Sequence, residues 1–235
     1  MHVWRALLFV YKTVDVRCRT RGLRSRRYRH NATETEVADA VESFRAFPEL
    51  VANLTSGAAG VIYDIVHVER ALTSLSRIGP GKFWPSPDDT RVELNEFAPA
   101  GSRDSIFIFW PQNDFRNGVS IPSAGWGLGS GASAWSNNAT YATVANAPSR
   151  AWQGEAPGEV WLHEWLHGVC HHFAQQGHVM PERDADGAEI HGYVRSPTAG
   201  WTDYYRDLMT GNVLEDGRTV GIGKEAWQLH AGRIA

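Results

Sequence analysis

Apolar positions run almost unbroken from Ala6 to Val16 and alternate towards the end of that run, in YKTVDV, which predicts a β-strand. An arginine-rich stretch from Arg17 to His30 follows; it could be a basic patch for an anionic partner, but with no aromatic platform interleaved among the charges it is expected to be a solvated loop whose charges keep a sheet edge from pairing. From Asn31 the period lengthens. Val37, Val41 and Phe44 mark one face of a helix that Thr33 or Thr35 can cap, Glu34 and Glu36 fall near its positive end, and Pro48 is expected to limit it. Gly60 to Glu69 and Asp104 to Trp110 predict two further strands, the second buried on both faces, and Ala139 to Ala145 a short one. The glycine-rich run at 123–135, SAGWGLGSGASAW, lacks the Gly-Lys-Ser/Thr ending of a phosphate cradle and is expected to be a flexible loop.

The strongest period lies further on. Leu162, Leu166, Val169 and Phe173 recur at spacings of four, three and four, so residues 157–176 predict an amphipathic helix. Pro157 opens it, Glu159 lies in its first turn and Gly177 stands at its end.

With 235 residues, 43% of them hydrophobic, the chain can bury a real core, and no repeat or low-complexity linker divides it, so one compact unit is expected. Twenty-three basic against 26 acidic side chains leave a formal net charge of -3, too weak an overall field to gather nucleic acid or an acidic membrane, and neither is expected as a partner. Cys18 and Cys170 are too far apart for a Cys-x-x-Cys pair, and two cysteines make no disulfide scaffold. No apolar run approaches the ~20 residues of a membrane span, and the opening MHVWRALLFVYK, with Arg5 inside it and no small-residue cleavage site after it, reads as a strand and not as a signal peptide. No compartment follows from this. A monomer is expected.

Chemistry concentrates on the long helix. His163 and His167, four residues apart, stack one turn above the other, which lets both imidazoles reach one zinc ion at about 2.0–2.1 Å. Glu164 stands beside them, placed to take a proton from water activated by the metal. A catalytic zinc keeps three protein ligands and an open position. His171 lies about 12 Å along the axis from His163 and His172 points round another face, so neither can complete the set. Beyond Gly177 the segment PERDADGAEIHGY offers Asp186 and His191 as alternative third ligands, with Glu189 after them; the remaining acids, Asp184 included, are expected to be solvated or to orient the imidazoles through their other ring nitrogens. Further on, Tyr204 and Tyr205 are candidate oxyanion donors or core aromatics, and Met209 is a candidate apolar floor.

His163-Glu164-Trp165-Leu166-His167 on a helix preceded by a strand resembles the zincin metallopeptidases, and Asp207-Leu208-Met209-Thr210 looks like the methionine turn of their metzincin branch. The likeness covers roughly the last hundred residues. It implies an α+β fold with a mixed-sheet lobe at about 1–176, an active-site helix at about 157–176 and a smaller, loop-rich C-terminal lobe at about 177–235, all in one catalytic domain. It further implies one Zn2+ per chain, Glu164 as general base, and a peptide or protein substrate lying along the strand near Thr140 to Ala145. The chain departs from the metzincin pattern, because Cys170 and Phe173 occupy the places of its glycine and third histidine, and the glutamate motif of the gluzincin branch is not evident. A zinc hydrolase of a non-peptide amide or ester is the nearest alternative. A non-catalytic carbohydrate or peptide binder using the ten tryptophans is the other, and an intact Glu164 argues against it.

Overall fold

The computed structural model describes residues 2–19, 25–154 and 156–229. The first apolar run is two strands, β1 (His2–Tyr11) and β2 (Thr13–Arg19), not one. The chain changes sheets at Lys12: β1 enters the central sheet, whereas β2 pairs antiparallel with β3 (Ser25–Asn31). The expected arginine loop is thus largely a hairpin. Val14, Val16, Cys18 and Tyr28 alternate inward and are buried, which sends Arg17, Arg19, Arg27 and Arg29 outward; residues 20–24 lie outside the described part.

Helix α1 (Glu34–Leu54) begins in a capping box, with Thr33 accepting from the Glu36 amide and Glu36 accepting from the Thr33 amide. Pro48 does not end it. A proline inside a helix costs about 3 kcal/mol, but carrying the helix past it buries Val51 and Leu54, each worth roughly 1.5–3 kcal/mol. Next come β4 (Ala59–Val68), the small hairpin β5 (Ser76–Gly79) and β6 (Lys82–Trp84), α2 (Arg91–Phe97), the fully buried β7 (Ser105–Trp110), and the short pair β8 (Asn113–Asp114) and β9 (Val119–Ser120). The glycine-rich run is not a loop throughout: Gly127–Ser130 forms β10, antiparallel to β11 (Thr140–Ala145). After α3 (Ser149–Gly154), the expected long helix is α4 (Glu159–Gln175).

The fold is mixed α and β, with six α-helices among the described residues and a central sheet ordered β10-β11-β7-β1-β4. Neighbours within it are parallel except at the β10 edge. Parallel strands covered on both faces need apolar side chains on both, and β1 alternates accordingly. Trp4, Ala6, Leu8 and Val10 face a core shared with α1 and α4, while Leu7, Phe9 and Tyr11 face a second core under β2, β3 and α2.

The C-terminal part carries α5 (Thr202–Thr210), the hairpin β12 (Val213–Glu215) and β13 (Arg218–Val220), and α6 (Lys224–Leu229). Its Tyr204, Leu208, Met209 and Trp227 join the first core directly. Asp207 to Thr210 are the last turn of α5, so they do not form the expected methionine turn. Met209 is fully buried there, and its carbonyl accepts from the Trp227 indole at 2.7 Å. No helix among the described residues is long and apolar enough to cross a membrane.

Candidate metal centre

Helix α4 is fixed at both ends. At its start the buried Glu159 carboxylate accepts from the Ala156 amide at 3.1 Å and the Trp201 amide at 2.6 Å, which ties the first turn to the approach of α5. At its end Gly177 takes φ +94°, and the His178 amide returns to the Phe173 carbonyl at 3.1 Å. Between these points Leu162, Leu166, Val169 and Phe173 are fully buried, as their spacing predicts, and the face carrying His163 and His167 opens into a cleft of about 750 Å³.

Two imidazoles and one carboxylate converge there. The ring centroids of His163 and His167 are 4.9 Å apart and the planes nearly perpendicular. Asp186 Oδ1 lies 3.4 Å from His163 Nε2, and its Oδ2 lies 3.9 Å from His167 Nε2. One donor atom from each of the three falls within 4.8 Å of the others. Of the two alternatives for a third ligand, Asp186 is the one the fold brings in. His191 lies elsewhere, stacked on Tyr204 with its Nε2 3.6 Å from Glu215. Glu189 is exposed and outside the group. His171 borders the cleft with its Nε2 2.9 Å from Gln175, and His172 packs edge-on against Trp4, so neither joins the set.

The second ring nitrogens are held by neighbours. His167 Nδ1 bonds Asp184 Oδ1 at 2.6 Å and His163 Nδ1 bonds the Tyr205 hydroxyl at 2.9 Å, which leaves both Nε2 atoms turned to the cleft. Asp184 and Asp186 share a 3-10 turn (Asp184–Asp186) entered through Arg183 and Asp184 at positive φ, and Tyr204 donates to the Asp184 carbonyl. Both tyrosine rings are buried in the core, one of the two roles expected of them, and their hydroxyls are engaged by Asp184 and His163.

Glu164 is only 8% exposed at its side chain, with Oε1 3.9 Å from His163 Nε2. Burial pushes its carboxyl up to about 8; the charge on His167 opposes this, and Asp186 and Asp184 add to it. The His167 imidazole is held above its ordinary value: burial alone would lower it, but the Asp184 hydrogen bond and the negative charges of Asp184, Glu164 and Asp186 outweigh that effect. Three carboxylates around two imidazoles form a site short of positive charge. Its nitrogen and oxygen donors suit zinc, and a divalent cation would relieve the penalty on ionised Glu164.

Edge strand β10 is the element that sequence reasoning missed. Glycines stand at every second position, 125, 127, 129 and 131, and this period-two pattern is the signal that identifies a strand with one bare face. A side chain at Gly127 would collide with the Glu164 carboxyl, one at Gly129 with the Glu164 carbonyl, and one at Gly131 with the His171 ring. From the opposite side, a Cβ on Gly168 would lie 2.6 Å from the Ser130 carbonyl. Glycine on both surfaces lets β10 rest directly on α4 and forms the cleft wall above Glu164. Strand β11, named by resemblance as the substrate's partner, is paired on both sides by β10 and β7, so the unpaired edge beside the cleft belongs to β10.

No protein-family model matches this chain, and no curated protein matches it.

Proposed function

We propose that this chain is a zinc-dependent hydrolase of the zincin type that cleaves peptide bonds, with His163, His167 and Asp186 holding the metal and Glu164 acting as general base. The observation that carries the reading is the meeting of two imidazole Nε2 atoms and one carboxylate at a single point of a cleft, with a second, buried carboxylate alongside. Zinc held by that set acidifies water and polarises a carbonyl oxygen. Glu164 takes the proton of the attacking water and delivers it to the leaving amine, and its burial keeps bulk water from competing for that proton. Asp184 and Tyr205 hold the imidazoles in one tautomer and orientation. The free edge of β10 offers main-chain donors and acceptors to an extended substrate, and the missing side chains of Gly127 and Gly129 let that backbone approach Glu164.

The test is metal content followed by turnover. Purified protein should hold about one zinc per chain; His163→Ala, His167→Ala and Asp186→Ala should each lose it, and His191→Ala should not. Glu164→Gln should keep zinc while hydrolysis of a diverse peptide pool falls at least about a hundredfold. Full zinc in the histidine variants would sink the metal assignment. A zinc-loaded wild type that cuts no peptide would move the reading to a non-peptide amide or ester.

A further inference from the structure

Residues 13–31 hold seven arginines against one acid, Asp15, a net of +6 in a chain whose formal net is -3, which leaves -9 on the rest. The near-neutral total thus averages over a strongly asymmetric molecule. The β2–β3 ribbon sorts this charge by face. With Val14, Val16, Cys18 and Tyr28 turned into the core, the register sets Arg17 opposite Arg27, Arg29 opposite Asp15 and Arg19 opposite Ser25. Arg17, Arg19, Arg27 and Arg29 therefore share the outer face, and all four are exposed.

Among the described residues, the carboxylate that pairs with this face is Asp15, and it reaches two of the four guanidiniums. Asp15 takes Arg27 through two bonds, Nε at 2.7 Å and Nη2 at 2.5 Å, and lies 3.8 Å from Arg29 Nε. Like charges directly across a ladder weaken it, so the Arg17–Arg27 pairing works against the hairpin and is held by the apolar face beneath. Beside the pair is a groove of about 500 Å³ in which the hydroxyl residues Thr73 and Ser74 and the half-buried Leu75, packed against the core, join Arg17, Arg27 and Asp15. This is a surface built for an anion, and its residue type narrows the choice. The planar fork of arginine matches paired phosphate oxygens in a way lysine does not. Guanidiniums two residues apart along a strand start roughly 7 Å apart, and a two-stranded ribbon fits a duplex groove about 12 Å wide. Among the described residues the outer face presents no apolar side chain to enter a bilayer and no aromatic ring on which to stack a base.

We propose that the outer face of the β2–β3 ribbon docks on the phosphate backbone of duplex nucleic acid without reading its sequence. It departs from the expectation drawn from net charge because the charge is local, and it does not depend on the hydrolase reading. The experiment measures fluorescence anisotropy of two labelled DNA duplexes of unrelated sequence with the full chain, alongside co-sedimentation with phosphatidylglycerol vesicles. Both duplexes should bind equally, with log Kd rising against log salt at a slope of about 3 to 4 between about 50 and 200 mM. The triple variant Arg17→Gln, Arg19→Gln, Arg29→Gln should weaken binding at least about tenfold and lower the slope by roughly 2 to 3, whereas lysine at the same three positions should keep most of the slope. Circular dichroism and thermal unfolding report whether each variant folds, and the single variants Arg19→Gln and Arg29→Gln, each lowering the slope by about 1, serve if the triple does not. No duplex binding at low salt, binding indifferent to salt, or binding unchanged in the folded variants overturns the proposal. Binding to vesicles but not to duplex overturns it in favour of a membrane surface.

Discussion

At Glu164 the metal-free site has a pH dependence whose sign can be worked out. Its folded carboxyl titrates at about 8, above the ordinary carboxylate range, so the folded state retains a proton that the unfolded chain has released. Stability from this group is fully present below about pH 4.5 and is lost as pH rises through about 8. His167, raised above its ordinary value, acts in the same direction. In excess chelator the melting temperature should therefore fall between about pH 5 and pH 8, and Glu164→Gln should flatten most of that fall. Thermal scans at several pH values measure it, and equal slopes for wild type and Glu164→Gln would contradict the burial argument. Zinc held as proposed would favour ionised Glu164 and neutral imidazoles, so added zinc should stabilise the protein increasingly across the same window. His163, Glu164 and His167 were legible because four-residue spacing on a helix is a local geometric fact. Asp186 was legible only as one of two alternatives, because a backward 3-10 turn at Arg183 and Asp184 decides which acid faces the histidines.

Among the elements, β10 and α4 depend on each other through bare backbone. Gly129→Ala would drive a methyl group into the Glu164 carbonyl, a main-chain atom of a packed helix that cannot swing aside. The expected cost is about 1–3 kcal/mol, with loss of the proposed peptide hydrolysis as the cleft wall lifts away from Glu164. Gly131→Ala meets the imidazole of His171 at the cleft rim, which can rotate, so it should cost less than about 1 kcal/mol. Denaturant unfolding of both variants makes the comparison, and equal costs would show that the close approach is not rigid. The strand was hidden by composition. Glycine-rich runs favour loops on average, and only the alternation at 125, 127, 129 and 131 distinguishes this one. The hairpin of β2 and β3 was hidden similarly, because a run of arginines has the composition of a solvated loop and only the alternation of Val14, Val16 and Cys18 marks a strand with one buried face.

For the molecule as a whole, the first strand and the last described helix meet on the back of α4. Trp227 in α6 is fully buried, with ring centroids 5.9 Å from Trp165 of α4, 6.2 Å from Trp4 of β1 and 5.0 Å from Phe173. The C-terminal segment is thus fastened to the same core as the first strand. Trp227→Ala should cost about 3–5 kcal/mol and, because Trp165 lies next to Glu164 in α4, should weaken zinc binding as well. Chemical denaturation and zinc titration on the same preparation check both outcomes. A variant that unfolds at the wild-type midpoint would show that α6 is not fastened there.

The sequence by itself determined α1, β4, β7, β11 and α4 and the histidine pair, because apolar period and residue spacing are properties of a segment and its own backbone geometry. It did not determine that Pro48 lies inside a helix, since that depends on what Val51 and Leu54 meet beyond it. Nor did it reveal that β1 and β2 part company at Lys12, because both sides of the break keep the same alternation while pairing in different sheets. Only the tertiary structure set Asp186 against the imidazoles and His191 against Glu215, and only it laid β10 across Glu164. Each of these depends on residues far apart in the chain, and the free energy that decides them comes from the close approach of whole elements, which no local pattern encodes.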